Sequence, residues 1–273
     1  MERFLRDGEE ALRLGDLDMA ITNYWAALRF EPLNILARMR LGLTLKRQGR
    51  HYEALEEFTT LTRLAPDYGE AWKEKGVVEG LIARLIPQQQ RNESPWLPDG
   101  SQALTRATQL IPGDFDAWAS LGGILKNVHG NLQNAHQMYV EAARVSDGHP
   151  YPLLNALKLE ALSSGSLNLE PVQGQLEKAM ELRRAQCRAT PPADAPWCFF
   201  DLAEINLYRN NPAEFLASLN EGIAACTASW QSKTFRDSLN TLVTRGIHLD
   251  GLSEGLQRLD AAIAGFARPA AGL

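Results

Sequence analysis

The amino-acid sequence predicts an all-α fold, a superhelical stack of helix–turn–helix hairpins with about fourteen helices. Two observations carry this. Leu (41 residues) and Ala (35), both strong helix formers, outnumber Val and Ile together (17), which favour strands. Side chains of matching size also return at a fixed interval, and such an interval belongs to stacked hairpins rather than to one closed core. With 45% hydrophobic and 22% charged residues, the chain has the apolar content of a folded protein, which excludes disorder along its whole length.

The interval is 34 residues: it separates Gly15 from Gly49, Ala20 from Ala54, Tyr24 from Phe58 and Pro32 from Pro66, and it separates Gly8, Gly42 and Gly76 in turn. The first two repeats are 1–34 and 35–68. The third, 69–114, opens with Trp72 and Gly76 and is about twelve residues longer than the period. The extra length falls near 86–98, where Pro87, Pro95 and Pro98 forbid a regular helix. Its second helix resumes around Ser101 and supplies Leu104, Ala107 and Pro112. The fourth, 115–148, carries Trp118, Leu121, Gly122 and Leu125, then Ala135, Tyr139 and Ala142. Small residues are expected where the two helices of a hairpin cross closely, large apolar ones around that crossing, and prolines where the second helix stops.

This pattern resembles the tetratricopeptide repeat (TPR), and the resemblance covers residues 1–148. Asp7 departs from it, since a large apolar residue is usual there, which suits a partly solvated first repeat. From 149 to 273 the expectation is degenerate TPR-like hairpins and capping helices. Leu153, Leu154, Leu157 and Ala161 form one apolar stripe, and Val172, Leu176, Ala179 and Leu182 another. A linker at 190–196 precedes a TPR-like hairpin that starts at Trp197 and turns at Asn210-Asn211-Pro212, with Phe215 where alanine is usual. Two further helices are expected at about 230–246 and 251–267.

Charge and composition remove several function classes. A net charge of −5 argues against general nucleic-acid binding, which needs a basic face. No apolar run approaches the ~20 residues that span a bilayer, and charges in the first seven residues leave no room for a signal peptide. Cys187, Cys198 and Cys226 are odd in number and widely spaced, unlike a secreted disulfide framework. The expected compartment is therefore the cytoplasm. No phosphate-cradling glycine loop, His-Glu-x-x-His or Gly-x-Ser-x-Gly occurs, and His129 and His136 stand too far apart to chelate one ion unaided. The expectation is no enzyme, no cofactor and no metal.

The TPR resemblance implies a concave face lined by the first helix of each repeat. In the second repeat this face comprises Leu36, Met39, Arg40, Leu43, Lys46 and Arg47; Lys73 and Val77 follow in the third, and Lys126 and Asn127 in the fourth. Residues 36–50 hold five basic groups and no acid. They suit a partner protein or peptide with an acidic or carboxylate feature; alternatively, they pair with Glu53, Glu56 and Glu57. The carboxylate clamp of heat-shock cochaperones is not matched, because Leu5, Glu9, Arg40, Glu70 and Glu74 occupy its places. Trp96, in the inserted segment, is either an exposed partner anchor or a plug packed on the stack, and Met39 and Phe30 read as core or groove wall. The function this reading favours is a non-enzymatic scaffold or adaptor. A sensor for a small ligand or short nucleic acid between the two halves, and a self-associating assembly factor such as a homodimer, are the alternatives.

Overall fold

The structure, a computed structural model, describes residues 1–93 and 97–266. Fifteen α-helices and no strand are found among them. No described helix is long and apolar enough to cross a membrane. Two compact units, Met1–Met138 and Tyr139–Leu273, divide inside a helix, whereas the fading of the period suggests a boundary at 148.

The N-terminal unit is a run of paired helices. α1 (Glu2–Arg13) and α2 (Leu17–Phe30) form the first repeat, and α3 (Ile35–Arg47) and α4 (His51–Leu64) the second. α5 (Gly69–Leu85) and α7 (Ser101–Leu110) form the third, with α6 (Gln88–Glu93) between them. α8 (Phe115–Asn127) and α9 (Leu132–Val145) form the fourth, and the division between the units falls in α9. α6 corrects the expectation of an irregular segment. Six residues fit between Pro87 and Pro95, and the Pro87 carbonyl accepts from the Arg91 N–H at 3.1 Å, a position where the missing N–H of proline costs nothing.

The recurring residues do recurring work. A Cβ added to Gly8 would stand 2.6 Å from the Tyr24 ring, one on Gly42 2.7 Å from the Phe58 ring, and one on Gly76 2.6 Å from Leu104. Each glycine therefore sets how closely the two helices of its hairpin approach, and Tyr24, Phe58 and Leu104 are fully buried there. Asp16, Asn34 and Asp114 cap α2, α3 and α8 by accepting from Met19, Ala37 and Ala117 N–H at 2.9, 2.8 and 3.1 Å. The second helices of the first three repeats, α2, α4 and α7, stop just before a proline. The proline carbonyl then accepts from the side chain six residues on: Arg38 Nη2 to Pro32 (2.6 Å), Trp72 Nε1 to Pro66 (2.8 Å) and Trp118 Nε1 to Pro112 (2.9 Å). One device, made once with arginine and twice with tryptophan, fixes the joint between successive repeats.

The inserted segment of the third repeat returns to the stack at Gly100, whose φ of +93° favours glycine. There the backbone presses against Gly76 and Gly80 of α5, too close for any Cβ.

The C-terminal unit contains α10 (Pro150–Ser164), α11 (Gln173–Arg188), α12 (Trp197–Tyr208), α13 (Pro212–Ala224), α14 (Ser229–Thr244) and α15 (Leu252–Phe266). α12 is apolar nearly all round and buried over most of its length, so it is the core helix of this unit. In the α12–α13 hairpin the usual roles are exchanged: the ring, Phe200, is on the first helix and the glycine, Gly222, on the second, 2.6 Å from it were a Cβ present. Phe215, at the position where alanine is usual, is fully buried because Gly255 of α15 leaves room for its ring.

Candidate protein-interaction surface

The first helices of neighbouring repeats are joined by ion pairs. Glu9 of α1 meets Arg40 of α3 at 2.8 Å, Lys46 of α3 meets Glu74 of α5, and Lys73 of α5 meets Asp114, the cap of α8, at 2.6 Å. Burial works against the charge of Lys73, but Asp114 and the acids around it outweigh that and raise its pKa above the usual lysine range. Behind the face, Arg38 is bonded to Glu57, whose carboxyl burial pushes up, and Arg50 is bonded to Glu53. Four of the five basic groups in 36–50 are thus neutralised by acids of the chain itself. Arg47 is exposed, and it makes no ion pair among the described residues.

Between these pairs lie apolar side chains that are only partly covered: Leu43 on α3, and Val77 and Leu81 on α5. Met39 is placed differently from its companions, at 6% exposure in the core with Leu41 and Leu45, so it offers nothing to the face. Its burial is a matter of how the helices pack, which periodicity alone could not decide. Lys126 is partly buried and Asn127 exposed at the end of α8. Trp96 lies outside the described residues.

Phe30, expected as core or groove wall, is instead 68% exposed, with its ring stacked on Phe4 at 5.5 Å. It begins an apolar ridge that continues through Leu33 (72%), in the loop that Arg38 holds by its Pro32 carbonyl, to Ile35 and Leu36 at the start of α3. The repeat itself is the signal for this ridge. The residues 34 on from Leu33, Ile35 and Leu36 are Asp67, Gly69 and Glu70, none of them apolar and large.

Comparison with solved structures identifies the architecture. PilF of Pseudomonas aeruginosa aligns with a TM-score of 0.58 at 15% identity, over 86% of this chain and 96% of its own. A thermophilic TPR protein of Thermus thermophilus aligns at 0.50 and 18% identity, over 87% of this chain and 98% of its own. The fold is of the TPR type. The MamA protein is also similar, with a TM-score of 0.52 and 23% identity over 68% of this chain and 93% of its own. No family model matches the sequence, and no curated protein matches it. At these identities the likeness is one of fold, and TPR solenoids as a class offer an extended concave surface to partners.

Of the acids that pair with the cations of 36–50, Glu53 and Glu57 were among those the sequence offered, whereas Glu9 and Glu74 were not matched to Arg40 and Lys46. Glu74 stands on the same face as Lys46 by repeat position, and Glu9 on the same face as Arg40, so opposite charges on adjacent first helices were the available clue. Among the described residues, no group of three His, Cys, Asp or Glu side chains could hold a metal ion.

Proposed function

We propose that this chain is a non-enzymatic scaffold that holds a segment of another protein on the first-helix face of its N-terminal unit. Leu43, Val77 and Leu81 form the apolar floor, and Arg47 is the cation that receives an acidic group of the partner. Lys126 and Asn127 belong to the far end of the same face. The observation that supports this most is the combination of a partly open apolar row with Arg47, exposed beside it and in no ion pair among the described residues. Cooperation by many cations is not needed: Arg40, Lys46 and Lys73 act by holding the repeats in register, through Glu9, Glu74 and Asp114.

A photo-crosslinking amino acid at position 43, compared with one at the exposed Glu56 of α4, tests the reading. A partner captured from position 43 and not from position 56, and lost when Arg47→Glu is added to a chain that keeps its helical circular dichroism, supports it. Equal capture from both positions, or capture indifferent to Arg47→Glu, refutes it.

A further inference from the structure

α11 and α12 are joined by residues 189–196 and lie against each other along a seam whose rungs can be counted. Arg183 of α11 donates to Asp201 of α12 at 2.9 Å, and it also reaches Asp194 in the connecting loop at 2.7 Å. One turn from this rung toward the loop, four residues on in α11 and three back in α12, stand Cys187 and Cys198. That register sets the two thiols side by side across the seam. The loop is drawn in over them by the Ala193 N–H, which donates to the Gln186 carbonyl at 2.9 Å. Cys187 is partly exposed and Cys198 fully buried, so a reagent in solution reaches the first and only the first reaches the second.

We propose that Cys187 and Cys198 are a redox-active pair that closes into an intrachain disulfide and staples the joint between α11 and α12. The oxidant is a low-molecular-weight disulfide such as glutathione disulfide. Cys187, as thiolate, attacks one of its sulfurs; the reagent's S–S bond breaks, one glutathione leaves as thiolate and takes up a proton, and a mixed disulfide remains on Cys187. The Cys198 sulfur, its proton lost to solvent, then attacks the Cys187 sulfur, and the second glutathione leaves. Two S–H bonds are lost, one S–S bond forms, and the two electrons reduce the reagent to two thiols.

The surroundings give this pair a direction. Arg183 lies near both sulfurs, and Cys198 stands in the first turn of α12, both of which favour a thiolate there. Burial outweighs them and holds both thiols above the usual range, so closure is slow at neutral pH and quickens as the pH rises. Cys226 is engaged elsewhere, with Ser232 and the Gly222 carbonyl at 3.3 Å each, and serves as the internal control.

The test uses the reduced full chain under native conditions with glutathione disulfide at about pH 8.5. The expected result is an intact mass lower by two hydrogens, a cross-linked peptide containing Cys187 and Cys198, and a thermal midpoint raised by roughly 5 °C and restored by dithiothreitol. Cys226→Ser should behave as the wild type, and Cys198→Ser should stop at one glutathione retained on Cys187. A wild-type chain that keeps glutathione on Cys187, links either residue to Cys226, or remains fully reduced would overturn the proposal.

Discussion

Replacing Gly100 by alanine tests the return of the inserted segment, and a second glycine supplies its control. At Gly100 the backbone has φ +93°, and a new Cβ would overlap the carbonyl oxygen of Gly76, lie 3.0 Å from its carbon and 3.2 Å from the Gly80 nitrogen. None of these atoms can rotate aside, because they belong to the helical backbone of α5. At Gly15 the φ is +79°, with nothing within 4 Å of the added atom. The left-handed conformation costs a non-glycine residue about 1–2 kcal/mol at either site. The reduced freedom of the unfolded chain returns about 0.4–1 kcal/mol at both. Gly15→Ala should therefore cost about 1 kcal/mol. Gly100→Ala carries an additional overpacking cost of about 1–3 kcal/mol, for a total near 3 kcal/mol. Urea unfolding followed by circular dichroism measures the two variants, and hydrogen exchange in α5 and α7 locates the loss. Costs equal within about 0.5 kcal/mol would refute the close backbone approach.

Other consequences follow from the same geometry. Trp118→Phe removes the hydrogen bond to the Pro112 carbonyl and should cost about 1 kcal/mol in urea unfolding. A double-mutant cycle on Lys46 and Glu74 should give a coupling of about 1 kcal/mol that shrinks as salt is added; a coupling of zero would show that the pair does not tie the repeats. Phe215→Ala empties a fully buried ring site and should destabilise the C-terminal unit by about 3–5 kcal/mol, measured by thermal unfolding. The Asp201 carboxyl is pushed up to about 6 by burial, which Arg183 only partly offsets. Between about pH 4 and pH 6 the folded chain then holds a proton that the unfolded chain has released, so stability falls as pH rises through that window. The fall should amount to roughly 3 kcal/mol, and Asp201→Asn should flatten that part of the stability–pH curve.

The repeats were legible because their determinants are positional. Gly8, Gly42 and Gly76 each face the second helix of their own hairpin, and a constant offset is enough to find them. Pro32, Pro66 and Pro112 end helices by a local rule that needs no tertiary information. The face was only half legible. Arg40, Lys46 and Lys73 could be assigned to it by repeat position, but their partners Glu9, Glu74 and Asp114 come from neighbouring repeats, and their pairing depends on how the repeats stack. A reading of local charge found an excess of cations where the fold leaves Arg47 in no ion pair among the described residues. In the C-terminal unit the exchange of Phe200 and Gly222 between helices hid the repeat, since the contact was preserved while both residues left their usual positions.

The hydrogen bonds from Trp72 and Trp118 to the preceding prolines have an optical consequence. Each indole is anchored across one joint between repeats, so its emission colour and lifetime report on the opening of that joint alone. The joint at Pro32 is held by Arg38 and is dark. A chain that retains a single tryptophan at 72 or at 118 would thus show, in one titration, whether the stack comes apart from one end or at every joint together.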